Sequence, residues 1–434
     1  MRIYLVTVIS ALATAGALMA CGGDVSSVGA PIAPDSGDGD AGGGGDAAET
    51  ADAADPPDTS PPPPFPAFKI DAPQVVTAGG PTLATPKLIP VYFANDDKTF
   101  TAQITNFVNK LPGSAYWPPP TKEYGVGIPT AAAPVQLSES ATANLTDAQI
   151  QTWLAGKLNA NDPAFPAADA NSLYLLYYPT GTTISDGNGK SCQSFGGYHS
   201  NITLDKNHGS KDVAYAVMPR CATFGNLKGI DVVTGTSSHE IIEAASDPFP
   251  QTNAAYAQVD NNHIAWMFFL GGGENGDLCA QFPGVFYKPS DLPFSVQRSW
   301  SNVSAKAGHD PCVPAMTGPY FNTMPELKDT LSIGGQFTTK GVKIPVGQTA
   351  TIPLQLFADA ETGAPWTVNV VDSATLQGAP ANLQLTLDKN SGRNGDIINL
   401  TIKVLSKNQY GAEGFVVESQ LGNRTTLWIG LVGN

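Results

Sequence analysis

The stretch Ser238-His239-Glu240-Ile241-Ile242-Glu243-Ala244-Ala245-Ser246-Asp247-Pro248 decides how the middle of the chain is read. As a helix it presents an imidazole at 239 and a carboxylate at 243 on one face, about 5–6 Å apart and able to share one cation. Ile241, Ile242, Ala244 and Ala245 give it an apolar body. Asp247-Pro248 is its stop, because the residue before a proline is driven out of the helical region. Glu240, beside His239, is placed to act as the base on a metal-bound water. The pattern is HExxE, so a carboxylate stands where HExxH has its second imidazole. The competing reading is a solvated helix face or a structural ion pair. The apolar flanks of Glu243, and only 5 histidines in 434 residues, favour a metal-ligating or catalytic role.

A catalytic zinc takes three protein ligands and keeps one position open. Downstream, Gly271-Gly272-Gly273-Glu274-Asn275-Gly276-Asp277-Leu278-Cys279 offers Glu274 and Asp277 from a glycine-rich loop, residue types that also favour plain tight turns. Between helix and loop lies His263, and upstream Gly196-Gly197-Tyr198-His199-Ser200 offers His199 from another loop near a cysteine. His199 or His263 as third ligand makes a His2Glu set suited to zinc. Glu274 or Asp277 makes a harder set of one histidine and two carboxylates, better matched to calcium or manganese. These alternatives stay open, with Zn2+ the expected cofactor and another divalent cation its rival. A serine hydrolase is disfavoured, since no GxSxG elbow is present.

Around this site the pattern is mixed. Residues 88–93, 172–178 and 213–217 read as strands, with a proline at 90 suited to an edge or bulge. Residues 101–110 and the stretch from Leu145-Thr146-Asp147 to Leu158 have helical spacing. An α+β (or α/β layered) domain over residues 67–316 follows. Beyond Pro319, the stretches 330–333, 349–356, 366–371, 383–387, 397–404 and 425–431 alternate polar and apolar residues between turns. That texture predicts an all-β, immunoglobulin-like sandwich over residues 325–434, without histidine to anchor chemistry.

The first twenty residues read as a lipoprotein signal peptide, an apolar run ending Leu18-Met19-Ala20-Cys21 with Cys21 the lipidation site. Residues 21–66 then form an acidic Gly/Ala/Pro tether carrying Asp24, Asp35, Asp38, Asp40, Asp46, Glu49, Asp52, Asp55 and Asp58 and no Lys or Arg. Much of the net charge of −15 therefore sits in a solvated linker and says little about substrate, though it argues against nucleic acid. The expected location is the cell envelope, anchored to the outer membrane or cell surface, with a peptide or envelope polymer as partner. Cys192, Cys221, Cys279 and Cys312 suit two disulfides in an exported chain. Pairing in sequence order closes the shorter loops and is the preferred connectivity.

Cys192 followed by Gly196-Gly197-Tyr198-His199, Val213-Ala214-Tyr215-Ala216-Val217 before Cys221, Asp247-Pro248-Phe249, and Gln297-Arg298-Ser299-Trp300-Ser301-Asn302 before Cys312-Val313 stand in the order found in another group. Over roughly residues 85–315 the chain resembles the EXORDIUM (phosphate-induced protein) family of secreted proteins. Ser238 to Pro248 and Gly273 to Cys279 are similar to the SHExxEAxTDP and GExGDxC segments of its bacterial and fungal branch. The resemblance implies a secreted protein with a zincin-like motif, with His239 as ligand and Glu240 as general base. Glu243 as ligand rests on its chemistry alone. The family also implies a rival function, a non-catalytic surface protein that binds envelope or matrix polymers.

Overall fold

The computed structural model describes residues 63–187, 189–335, 337–406 and 411–433. The expected signal peptide, the expected lipidation site Cys21 and the expected tether as far as residue 62 lie outside the described residues. No helix among the described residues is long and apolar enough to cross a membrane.

The first region is built on β1 (Lys87–Tyr92), β2 (Ser172–Tyr178), β3 (Tyr198–Thr203) and β4 (Asp212–Pro219), in the order β1-β2-β4-β3. β1, β2 and β4 run parallel, while β3 closes the edge antiparallel to β4. All seven residues of β2 are buried, as expected of a strand covered on both faces. Strand alternation divides the sheet residues between two cores. Leu88, Leu173, Leu175, Tyr177, Ala214 and Ala216 pack with α1 (Lys98–Lys110) and with Ile241, Ile242, Ala244 and Ala245 of the helix that carries HExxE. Ile89, Val91, Tyr174, Leu176, Tyr215 and Val217 face the other way, onto Ile150, Leu154 and Leu158 of α2 (Asp147–Asn159). The result is a helix–sheet–helix stack. Pro90 sits in β1 opposite a break, where the flanking chain pairs at residues 130–131 and again at 135–136, so its missing N–H leaves no ladder bond unmade.

The HExxE helix, α3 (Ile230–Ser246), ends at Asp247, and its stretch from Ser237 to Ser246 is wholly buried. α3 has no side-chain cap, but the other two long helices carry local capping signals. Asp97 caps α1 by accepting from the Phe100 N–H, and Thr146 with Gln149 forms a capping box on α2. The disulfides join Cys192 to Cys221 and Cys279 to Cys312, the sequence-order pairing.

The C-terminal region is a two-sheet sandwich. It starts at Phe321, earlier than the expected 325, with β5 (Phe321–Pro325), β6 (Asp329–Ile333), β7 (Phe337–Lys343), β8 (Thr349–Ala358), β9 (Trp366–Asp372), β10 (Leu383–Leu387), β11 (Ile397–Val404), β12 (Ala412–Leu421) and β13 (Arg424–Gly433). One sheet has the order β5-β8-β11-β10. The other runs β6-β7-β13-β12-β9, with β7 and β13 parallel. β5, β7 and β12 escape the alternation reading. β12, for instance, opens with four consecutive buried residues, Ala412 to Phe415.

The two regions share one hydrophobic core. In α4 (Ile264–Leu270), Trp266 meets Trp300 edge-on at 5.8 Å and Trp428 of the sandwich at 5.5 Å. Pro64, expected within a solvated tether, is instead held on the sandwich, where Asn394 Nδ2 donates to its carbonyl oxygen at 2.9 Å.

Candidate metal centre

Three elements meet around α3. The helix supplies the floor: its i,i+4 spacing brings His239 Nε2 to 3.0 Å from Glu243 Oε2, both side chains under a tenth exposed. The glycine-rich loop supplies one wall. Gly276 lies so close that a β-carbon there would stand 2.6 Å from Glu243 Oε1 and 2.8 Å from His239 Nδ1, contacts no larger residue can make. That approach lets the Asp277 N–H donate to Glu243 Oε1 at 3.0 Å and sets Asp277 Oδ1 3.7 Å from His239 Nε2. The loop is pinned from behind. Gln297 Nε2 donates to Gly276 O, the Gln297 N–H donates to Ser238 Oγ, and the Trp300 N–H donates to Asn275 O. Cys279 adds a covalent tie to Cys312.

The edge strand supplies the second wall. His199 is the second residue of β3 and not a loop residue as expected. Its Nδ1 lies 3.6 Å from Glu240 Oε2 and 3.8 Å from Glu243 Oε2, while Nε2 lies 3.5 Å from Glu274 Oε1. Gly197 admits this packing, since a β-carbon there would fall 2.5 Å from Thr236 Cγ2 and 3.0 Å from Glu240 Oε1. Exposure rises from 3–8% on the floor to 17% at Glu274 and 22% at Asp277, so solvent reaches the centre past the loop.

Burial disfavours every charge here, and the neighbours decide which charges survive. Burial pushes the Glu274 carboxyl well above its usual range; His199 opposes the shift and Glu243 reinforces it. Burial, then the Glu243 charge, drives Asp277 up to about 7. Glu243 is held low, because the charge and contact of His239, with His199 behind, outweigh its burial. Burial would lower His199, yet the Glu274 charge and its contacts with Glu240 and Glu243 raise it well above the imidazole norm.

The structure therefore brings His199, His239, Glu240, Glu243, Glu274 and Asp277 together. His263 goes elsewhere: Nδ1 lies 3.0 Å from both Asp260 oxygens and Nε2 lies 2.9 Å from Asp71 O, in a capped turn below the sandwich junction. Of the third-ligand candidates, Asp277 faces His239 and Glu274 faces His199. Ser237 and Ser238 are buried and donate to Val233 O and Gly235 O of their own helix, a structural role. Asp247, fully buried, accepts from the Ala255 N–H at 2.6 Å, and burial raises its carboxyl. The sequence reading missed the part played by Gly197, Gly276 and Gln297. The glycine-rich stretches near Cys192 and Cys279 were the available signal.

Two donor sets have their ligand atoms within 4.8 Å of one another: His239, Glu243 and Asp277, and His199, Glu240 and Glu243. The 3.0 Å between His239 Nε2 and Glu243 Oε2 is near the ligand–ligand edge of about 3.3 Å implied by tetrahedral zinc with bonds of ~2.0–2.1 Å. The imidazole and carboxylate donors thus fit a divalent cation.

No protein-family model matches the chain, and no curated protein does. Among solved structures, domains 4 and 5 of the S-layer protein SbsC are 16% identical over 25% of this chain and 54% of that one, with a TM-score of 0.16. The match thus spans about half of that structure. The titin M3 domain is 12% identical over 26% of this chain and 94% of its own, with a TM-score of 0.17. Likenesses of this size carry no argument about what the chain does.

Proposed function

We propose that the chain is an exported, lipid-anchored, metal-dependent hydrolase of peptide bonds, held at the cell envelope through Cys21. The observation that carries the reading is the His239–Glu243–Asp277 set, its two helix residues buried and Asp277 partly exposed, with Glu240 beside it on the same helix. A divalent cation bound there supplies Lewis acidity and lowers the pKa of the water it carries. His239 and Glu243 would hold it from the helix, and Asp277 would complete the set from the loop. Glu240 takes the proton from the attacking water, and His199 keeps Glu240 oriented from the edge strand. Peptide is the favoured substrate because β3, the sheet edge, runs past the centre. An extended chain added to that edge carries its carbonyls past Glu240. The two disulfides support export, since such bonds persist in oxidising compartments.

The test is elemental analysis of the full-length chain with an assay on an unstructured protein substrate. Stoichiometric metal, lost in Glu243→Ala together with turnover, is the expected result. Glu240→Gln is expected to slow turnover by about 10²–10⁴-fold. A folded protein that takes up no metal overturns the reading and leaves an EXORDIUM-like surface protein that binds envelope polymers.

A further inference from the structure

We propose that the centre binds two divalent cations, with Glu243 bridging them. The proposal rests on the metal-dependent reading for the first cation, held by His239, Glu243 and Asp277. The second is held by His199 Nδ1, Glu240 Oε2 and Glu243 Oε2, the last being the oxygen that also faces His239.

Three observations point there. First, Glu243 belongs to both donor sets, and two imidazoles from different elements meet its Oε2, His239 Nε2 at 3.0 Å and His199 Nδ1 at 3.8 Å. Second, Glu240, Glu243, Glu274 and Asp277 converge on the two histidines, the last two partly exposed, and among the described residues no Lys or Arg makes an ion pair with any of them. Carboxylates gathered without a basic side chain are a setting that bound cations stabilise. Third, His199 is 5% exposed, and its Nε2, facing Glu274 Oε1, finds no hydrogen-bond partner, nor does that oxygen. A ring bound to a cation through Nδ1 must carry its proton on Nε2, and Glu274 is then placed to receive that hydrogen bond, as carboxylates commonly do behind metal-bound histidines. Gly197 leaves room for Glu240 to bind through Oε2 while Oε1 stays free to accept a proton.

The experiment is calorimetric titration of Zn2+ into the metal-stripped full-length chain, with Co2+ loading followed by electron paramagnetic resonance. Two equivalents in the wild type are expected. One should remain in His199→Ala and in Glu240→Gln, and none in Glu243→Ala. The loaded wild-type protein needs no variant: two Co2+ ions about 3.5–4 Å apart couple magnetically and quench each other's signal. A single equivalent, retained in Glu240→Gln with an uncoupled Co2+ signal, overturns the second site and leaves the one-metal hydrolase standing. No uptake at all in the wild type overturns both.

Discussion

Asp372 in the sandwich and Glu243 in the α/β region are both buried carboxylates, 5% and 3% exposed, with opposite surroundings. Asp372 ends β9 and is saturated by backbone: Oδ1 accepts from the Ala374 N–H, and Oδ2 accepts from those of Asn382 and Leu383. Glu243 accepts one backbone N–H, from Asp277, and otherwise faces the rings of His239 and His199. Around it stand further acids in place of donors. An acid enclosed by N–H groups is finished as a structural device. An acid enclosed by imidazoles and other acids is finished only when positive charge arrives. That contrast separates scaffold from site more sharply than burial does, since burial is the same in both.

The largest effect should come from the finished acid. Asp372→Ala strands three N–H groups at the β9–β10 connection and should cost about 3 kcal/mol of stability in urea unfolding of the full chain, with metal content unchanged. A neutral result would mean that water replaces the carboxylate freely there, and the contrast would lose its structural arm.

The unfinished acids should behave in the reverse sense. Glu274→Gln removes a carboxyl whose charged form burial disfavours, so the metal-free protein should become more stable at neutral pH. The pH dependence has a definite sign. Asp277 ionises near 3.8 when unfolded but only at about 7 when folded. Between those values the folded chain binds the extra proton, so metal-free stability should fall as pH rises through that window. Glu274 and Asp247, also raised, act in the same direction. Glu243, held low, acts oppositely, through protons lost at the acid end. Melting temperatures of the stripped protein should therefore decline from pH 4 to about pH 7, less steeply in Glu274→Gln. Added metal should restore more at the upper end, because its ligands must be deprotonated to bind. A flat or rising profile would show that these acids are already compensated.

What could be read in the sequence follows the same division. Periodicity exposed α3, most sandwich strands and the cores on either side of the sheet, because alternation and helical spacing are local. The cysteine pairing was legible because short loops are entropically favoured. His239, Glu243, Glu274 and Asp277 were legible as candidate ligands, but the place of His199 beside them was not. His199 is forty residues from His239 in sequence, and the antiparallel register of β3 on β4 brings it back over the helix. Nothing within a few residues of His199 encodes that register. The shared core through Trp266, Trp300 and Trp428 was equally hidden, since a tryptophan at helical spacing reads the same in one domain's core as at a junction.

The smallest effect is the most discriminating between the two loop histidines. His263 and His199 looked alike as candidates, each near glycine, carboxylate or cysteine. In the fold, His263 is a finished group: Asp260 takes one nitrogen and Asp71 O the other. His263→Gln should cost about 1 kcal/mol, the worth of one net hydrogen bond, and leave metal stoichiometry untouched. His199→Ala should destabilise the stripped protein, because packing is lost together with an imidazolium that the surrounding acids favour, and it should remove one of the two metal equivalents. If His263→Gln lowered metal content and His199→Ala did not, the centre would have to be redrawn around the junction with the sandwich. The Asp260–His263 pair would then be a ligand set in waiting, and the distinction between finished and unfinished groups would fail at its most direct test.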